Sequence, residues 1–461
     1  MLGDLPAYEA RAATGHPALT DAPAHWRVAP MRSLIRPRSE RNRADLPLLT
    51  VARERGVFVR HEDDGNHNVI PEDLSNYKFA RQGDLVINKM KAWQGSLGLA
   101  PVDGIVSPAY FVFDFSIDNR AFGQYLLRSK PYVGLMAAAS DGVRIGQWDL
   151  VTDRFRALPV LIPPAEEQAA IVTYLGHAHA RIDRVIAAKR RLIALLEEQK
   201  RAELAALIAE SGVETRNRWF PRLKPGWRAV TLARVLLRAV DGPHFSPPYV
   251  EEGVPFLSAR NIRAGKWMFE DMKYVSDDLA DEFDRRIRPA VGDVLYTKGG
   301  TTGVAKAVDW DERFQVWVHI AVLKLRPELV RPDFLEIMLN SQGCYAQSQL
   351  ETRGATNQDL GLSRMKRITI PLAPLDEQAP FTTRVQAQSQ RIDETIARER
   401  REIELLREFR TRLTADIVTG QVDVRSAAAT LPPLDPHDVP LDVENGDENE
   451  ADDALGPVED A

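Results

Sequence analysis

The sequence predicts an α+β protein in which two strand-rich blocks alternate with two long α-helices, and three observations predict it. Pro164-Ala165-Glu166-Glu167-Gln168 returns about 210 residues later as Pro374-Leu375-Asp376-Glu377-Gln378, and Arg181-Ile182-Asp183 returns as Arg391-Ile392-Asp393. Each signature opens a stretch with apolar residues at 4-3 spacing, the period that keeps one helix face against a partner helix. Each signature also closes a block of about 150 residues rich in strand and turn signals. A chain built as such a repeat is suited to engaging something with two related halves.

Taken in order, residues 1–22 read as an irregular N-terminal arm. The first block, 23–163, enters through His25-Trp26-Arg27, and the second, 213–373, through Gly226-Trp227-Arg228. Gly83-Asp84-Leu85-Val86-Ile87-Asn88-Lys89 parallels Gly292-Asp293-Val294-Leu295-Tyr296-Thr297-Lys298, each a Gly-Asp turn feeding a strand that ends in lysine. Val106 to Phe113 and Trp317 to Leu325 are further strands, and short helices are predicted near Ala121–Arg128 and Asp333–Asn340.

The spacer helices take 164–212 and 374–425. Their stripes are Ile182, Ile186, Lys189, Ile193, Leu196, Lys200, Glu203 and Leu207, then Ile392, Ile396, Glu399, Ile403, Leu406, Arg410, Leu413 and Ile417. The polar members suit helices that select register against each other or against a partner. Acids at Glu166 and Asp376 favour a helix start, whereas Pro380 predicts that the second helix settles only after its first turn. About 44 residues of helix span roughly 65 Å at 1.5 Å per residue.

At 461 residues, 44% hydrophobic and 27% charged, the chain has room for two or three buried cores. It has no apolar run of about 18 residues, the length that would span a membrane. Met1-Leu2-Gly3-Asp4-Leu5-Pro6 has neither the basic nor the apolar part of a signal peptide. A single cysteine, Cys344, excludes an internal disulfide framework and fits a reducing, cytoplasmic setting. The net charge of −6 is uneven, because eleven acids and no lysine or arginine follow Arg425. Without them 55 acids face 60 bases, so residues 1–425 carry about +5. Residues 426–461 therefore read as a disordered acidic tail, and the basic body permits nucleic-acid binding.

These features resemble the specificity subunit of type I restriction–modification enzymes over about residues 20–425. The two P-x-x-E-Q openings and the Ile-Asp pairs at 182–183 and 392–393 carry the likeness. So do Gly354-Ala355-Thr356-Asn357-Gln358-Asp359-Leu360 and the stretch from Gly83-Asp84 through Val106-Ser107-Pro108-Ala109-Tyr110-Phe111-Val112-Phe113. Two copies in the right order make the match specific. The resemblance implies a non-catalytic DNA reader, each block being an α/β target-recognition domain for half of a split site in double-stranded DNA, and the sequence offers no residues for a cofactor or metal. It implies that the helices pair as an antiparallel coiled coil through the eleven apolar stripe residues and set the distance between the heads. They would also dock two methyltransferase subunits, which restriction subunits that translocate and cut DNA then join. The loop Asp141-Gly142-Val143-Arg144-Ile145-Gly146-Gln147-Trp148 matches only loosely, and the acidic tail is outside the pattern.

A split site needs two base-reading surfaces, because base edges specify while phosphates only position. The expected readers are polar side chains on loops of the heads. In the first they are Lys89, Lys91, Trp93 and Gln94, and Arg144, Gln147 and Trp148. In the second they are Arg260, Asn261 and Arg263, the glycine-rich Lys298, Thr301 and Thr302, and Arg353, Thr356, Asn357 and Gln358. Arginine pairs with guanine, amides with adenine, and lysine suits phosphates. Adding four residues to both helices is expected to lengthen the unread spacer by about 6 Å, near two base pairs.

Two rival readings are a self-sufficient methyltransferase or nuclease and a coiled-coil scaffold with non-specific DNA binding. Ser246-Pro247-Pro248-Tyr249 is similar to an amino-methyltransferase motif but lacks a glycine-rich cofactor loop after a strand. Pro332-Asp333 with Glu336 hints at a nuclease, yet Met338 stands where its lysine is needed. His177 and His179 project to different helix faces, and Cys344 has no evident base.

Overall fold

A computed structural model describes residues 5–53, 55–61, 73–144, 147–354 and 359–433. Thr356, Asn357, Gln358 and the acidic tail from residue 434 onward lie outside the described residues. The chain divides into two compact units, residues 1–189 with 401–461 and residues 190–400. Each unit holds one head and part of each long helix. Among the described residues no helix is long and apolar enough to cross a membrane.

In the first unit the N-terminal segment is not irregular. Arg11–His16 and Leu19–Pro23 form an antiparallel hairpin, and Leu19 and Ala22 join the core. The head is built on a four-stranded antiparallel sheet in the order Ile35–Pro37, Tyr110–Phe115, Leu85–Asn88, Leu97–Leu99. Helix Arg120–Arg128, its first turn capped by the Asn119 side chain, covers the sheet, as does Lys130–Ala138. Between them lie Leu85, Ile87, Phe115, Phe122, Leu126 and Tyr132.

The second unit repeats this order with Leu236–Asp241, Ile320–Leu325, Val294–Thr297 and Ala305–Ala307, and its helix is Pro332–Leu339. It adds a small sheet of Lys273–Val275, Val254–Leu257 and Gln315–Val316. The Gly-Asp turns serve the same end in both heads. Gly83 and Gly292 have φ of +85° and +95°, where a Cβ is strained. The Asp84 carboxylate accepts from the Arg81 amide (2.9 Å) and meets Arg38 (2.8 Å); that of Asp293 accepts from the Ala290 amide (2.8 Å) and pairs with Lys324.

The recurring P-x-x-E-Q signature is the joint between head and helix. Chain entry and exit pair as adjacent strands, Arg27–Pro30 with Pro159–Ile162 and Arg228–Thr231 with Thr369–Leu372. Trp26 Nε1 then donates to Glu167 (3.0 Å) and Trp227 Nε1 to Glu377 (3.1 Å). The glutamines are fully buried. Gln168 accepts from the Asn119 amide and donates to the Pro163 carbonyl, both at 2.9 Å. Gln378 accepts from the Arg331 amide (2.8 Å) and donates to the Leu329 and Ala373 carbonyls (2.9 and 3.0 Å).

The long helices, Ala165–Ile208 and Leu375–Val418, each hold 44 residues and pack together antiparallel. Pro380 does not delay the second one, which runs helically from Leu375. A proline there removes one backbone bond to the first turn, while buried Gln378 and Phe381 anchor that turn. In the first unit His179 meets Thr414 and Asp183 meets Arg410 (2.8 Å each), and Lys189 meets Glu402. In the second, Glu197 meets Arg400 (3.0 Å), Lys200 meets Asp393 (2.7 Å) and Glu210 meets Arg384 (2.8 Å). Asp183–Arg410 and Asp393–Lys200 occupy equivalent places in the repeat. The stripe residues Ile182, Ile186, Ile403, Leu413 and Ile417 are buried in the first unit, as are Leu207, Ile392 and Ile396 in the second. Ile193, Leu196 and Leu406 are half-buried.

Candidate nucleic-acid interface

In both heads the sheet delivers a lysine to the same end of its third strand. Lys89 follows Leu85–Asn88 and Lys298 follows Val294–Thr297. The Lys89 ammonium meets Asp149 at 3.0 Å while its carbonyl accepts from the Leu150 amide at 2.9 Å. Lys298 does the same with Asp359 at 2.8 Å and the Leu360 amide at 2.7 Å. One loop is thus latched to the sheet end twice over, by an ion pair and a backbone bond. The internal repeat extends to this detail.

In the first head the latch unites the two expected clusters. The hairpin Ser140–Arg144 and Gln147–Leu150 sets Arg144 opposite Gln147 in backbone register. Trp148 packs on Trp93 with ring centroids 5.2 Å apart, and Trp93 Nε1 donates to the Met90 carbonyl. Lys91 is exposed and Gln94 half-buried. The Trp93–Trp148 pair and exposed Lys91 thus lie on the segments that the Lys89 latch joins.

The second head departs from expectation at three positions. Lys298 is only 4% exposed and spent on two carboxylates, Asp359 and Asp241 (3.4 Å). Thr302 is buried, and its carbonyl accepts from Gln349. Asn261 is buried in a capping box, accepting from the Ser258 amide and donating to the Met268 carbonyl. Lys298 and Asn261 hold loops in shape, because a desolvated polar group needs a protein partner, whereas the buried Thr302 hydroxyl has none among the described residues. Thr301 stays exposed beside Gly300, whose φ of +70° faces open space. Exposed Arg353 exchanges backbone bonds with Asp359, so it belongs to the same latch. Arg260 and Arg263 are exposed on a separate turn and hairpin, with Arg263 opposite Lys266.

Asp241, His244, Arg286 and His319 were not anticipated. Asp241, at the end of Leu236–Asp241, is 4% exposed and accepts from Arg286 Nη2 at 2.6 Å. His244 Nε2 lies 3.3 Å away. Burial works to raise this carboxyl, but Arg286, Lys298 and His244 together hold it below its usual range. Burial, then Lys298, lowers the His319 imidazole. No spacing in the sequence signals that 241, 286, 298 and 359 meet; only strand pairing brings them together.

Residue types that suggested chemistry elsewhere are engaged in packing. His177 and His179 bond separately to the Pro432 carbonyl and to Thr414. Cys344 is fully buried, and burial pushes its thiol up to about 12. Tyr249 of the Ser246–Tyr249 stretch rests against Phe256 on an irregular loop. Among the described residues no group of three His, Cys, Asp or Glu could hold a metal ion.

No protein-family model matches this chain, and no curated protein matches it in sequence. Solved structures do. A chain from work on complex assembly and conformational transition of the type I R-M system is 18% identical, with a TM-score of 0.55 over 87% of this chain and 99% of that one. The HsdS subunit from Thermoanaerobacter tengcongensis is 18% identical, with a TM-score of 0.39 and coverage of 87% and 98%. The type I restriction-modification system S subunit from M. genitalium is 14% identical, with a TM-score of 0.33 and coverage of 85% and 96%. The first of these establishes a shared fold.

Proposed function

We propose that this chain is the specificity subunit of a type I restriction–modification enzyme. It is a non-catalytic, cytoplasmic DNA-binding protein that directs two methyltransferase subunits, and the restriction subunits that join them, to a split site in double-stranded DNA. The observation that carries the reading is duplication at the level of contacts. Each head has the same Trp–Glu joint to its helix and the same Lys–Asp latch at its sheet end, while the residues around each latch differ. Two heads framed alike but lined differently suit two unlike half-sites, and a helix of fixed rise suits a ruler between them.

Mapping methylated adenines in the source cells with and without the chain tests this. A two-part motif that disappears with the chain is expected; an unchanged methylome refutes it. The ruler is tested by adding four residues to both helices. A methylated spacer longer by about two base pairs is expected, and an unchanged spacer removes that part of the proposal.

A further inference from the structure

In the second head Lys298, Arg286 and His244 gather around the one buried carboxylate of Asp241. Lys298, itself buried, lies 3.4 Å away but makes its shorter pair with Asp359 at 2.8 Å, so Arg286 at 2.6 Å is the nearest of these cations to the carboxylate. Arg286 and His244 approach it from the exposed side. The Arg286 side chain is 50% exposed and that of His244 63%. Arg286 Nε donates to the Asp241 carbonyl at 3.0 Å and Nη2 to its carboxylate at 2.6 Å. These bonds occupy one edge of the guanidinium fork and leave the Nη1 end directed away from Asp241.

The surroundings are closely packed. A Cβ at Gly242 would meet the Val316 carbonyl oxygen, so the loop after Asp241 lies flat on that strand. Trp317 Nε1 donates to the Phe245 carbonyl, fixing the loop's far side. Arg313 pairs with three acids of helix Asp277–Arg286, namely Asp277, Asp281 and Asp284.

We propose that Arg286, buttressed by Asp241, is a base-reading side chain of the second head and reads guanine. The inference rests on the specificity-subunit reading above. A half-exposed guanidinium held by a buried carboxylate loses little side-chain freedom on docking, and its remaining donors match the O6/N7 acceptor pair of guanine. Among the described residues the first head's Lys89 pairs with Asp149 and with no second carboxylate, so the device is proposed for one half-site.

The test replaces the native copy with Arg286→Lys and, separately, Arg286→Gln, and sequences the methylated adenines. Lysine keeps the charge for Asp241 but lacks the fork. The wild type is expected to require guanine at a position in one half of the motif. Both variants should accept other bases there, with discrimination falling on the order of tenfold or more, while the other half stays unchanged. A wild-type half-site without guanine on either strand overturns the proposal, as does an unaltered motif in Arg286→Lys. Loss of all methylation in both variants, with the chain still soluble, assigns Arg286 to holding the fold and also overturns it. A wild-type chain that directs no split motif removes the specificity-subunit reading and this inference with it.

Discussion

Replacing Gln378 by leucine is the sharpest test of the head–helix joint. The side chain is fully buried and satisfies the Arg331 amide and the Leu329 and Ala373 carbonyls. Leucine is close in volume and so removes these bonds without opening a large cavity. Each backbone group left unpaired in the interior costs about 1–3 kcal/mol, with carbonyls at the lower end because a second lone pair can find a partner. The expected loss is about 3–5 kcal/mol. Gln168→Leu strands two main groups, the Asn119 amide and the Pro163 carbonyl, and should cost about 2–4 kcal/mol. Hydrogen exchange reads this locally, since opening of about 3 kcal/mol lowers protection on the order of a hundredfold. Peptides containing Arg331 should lose protection in Gln378→Leu, and peptides containing Asn119 in Gln168→Leu. Unchanged protection of Arg331, or a urea midpoint equal to wild type, would show that the signature glutamine is not what holds the joint.

The remaining predictions concern the helices and the buried thiol. Asp183→Arg should destabilise the chain by about 1–2 kcal/mol by opposing Arg410, and adding Arg410→Asp should restore most of it; a double swap no better than the single breaks the assignment. The equivalent Lys200–Asp393 pair is more exposed, so the same cycle should give about 0.5 kcal/mol. His179 is buried against Thr414 and burial lowers its imidazole to about 4. The unfolded chain therefore binds the extra proton first. The stability from a neutral His179 is complete above about pH 6.5 and is lost as pH falls toward 4. Urea melts at pH 7.5 and 5 should show this decline in wild type and a shallower one in His179→Gln. Cys344, its thiol pushed up to about 12 by burial, should react with a thiol reagent only after unfolding; labelling of the native chain at the unfolded rate contradicts its burial.

Much of the scaffold was legible in the order of residues. Repetition of Pro-x-x-Glu-Gln and of Trp26 and Trp227 marks the joints, because identical joints need identical donors and acceptors. The 4-3 stripe located the buried helix faces, since helical periodicity is a local property. Gly83-Asp84 and Gly292-Asp293 announced turns for the same reason: positive φ and a carboxylate cap act within four residues. Pro380 misled, because the packing of Gln378 and Phe381 outweighs one missing backbone bond. The N-terminal segment misled too, since only the core beneath Leu19 and Ala22 gives the hairpin its place.

The sequence by itself determined the repeat, the helix faces and the turns, all governed by neighbours a few positions apart. Tertiary structure alone decided which polar residues face outward. Lys298, Asn261 and Thr302 have the composition of a DNA-facing loop, yet strand pairing carries Asp241 and Asp359 to Lys298, and the capping box turns Asn261 inward. The same pairing turns Arg286 and His244 outward around a carboxylate more than 40 residues from the arginine. Burial of a charge depends on which distant partner the sheet supplies, and no local pattern encodes that partner.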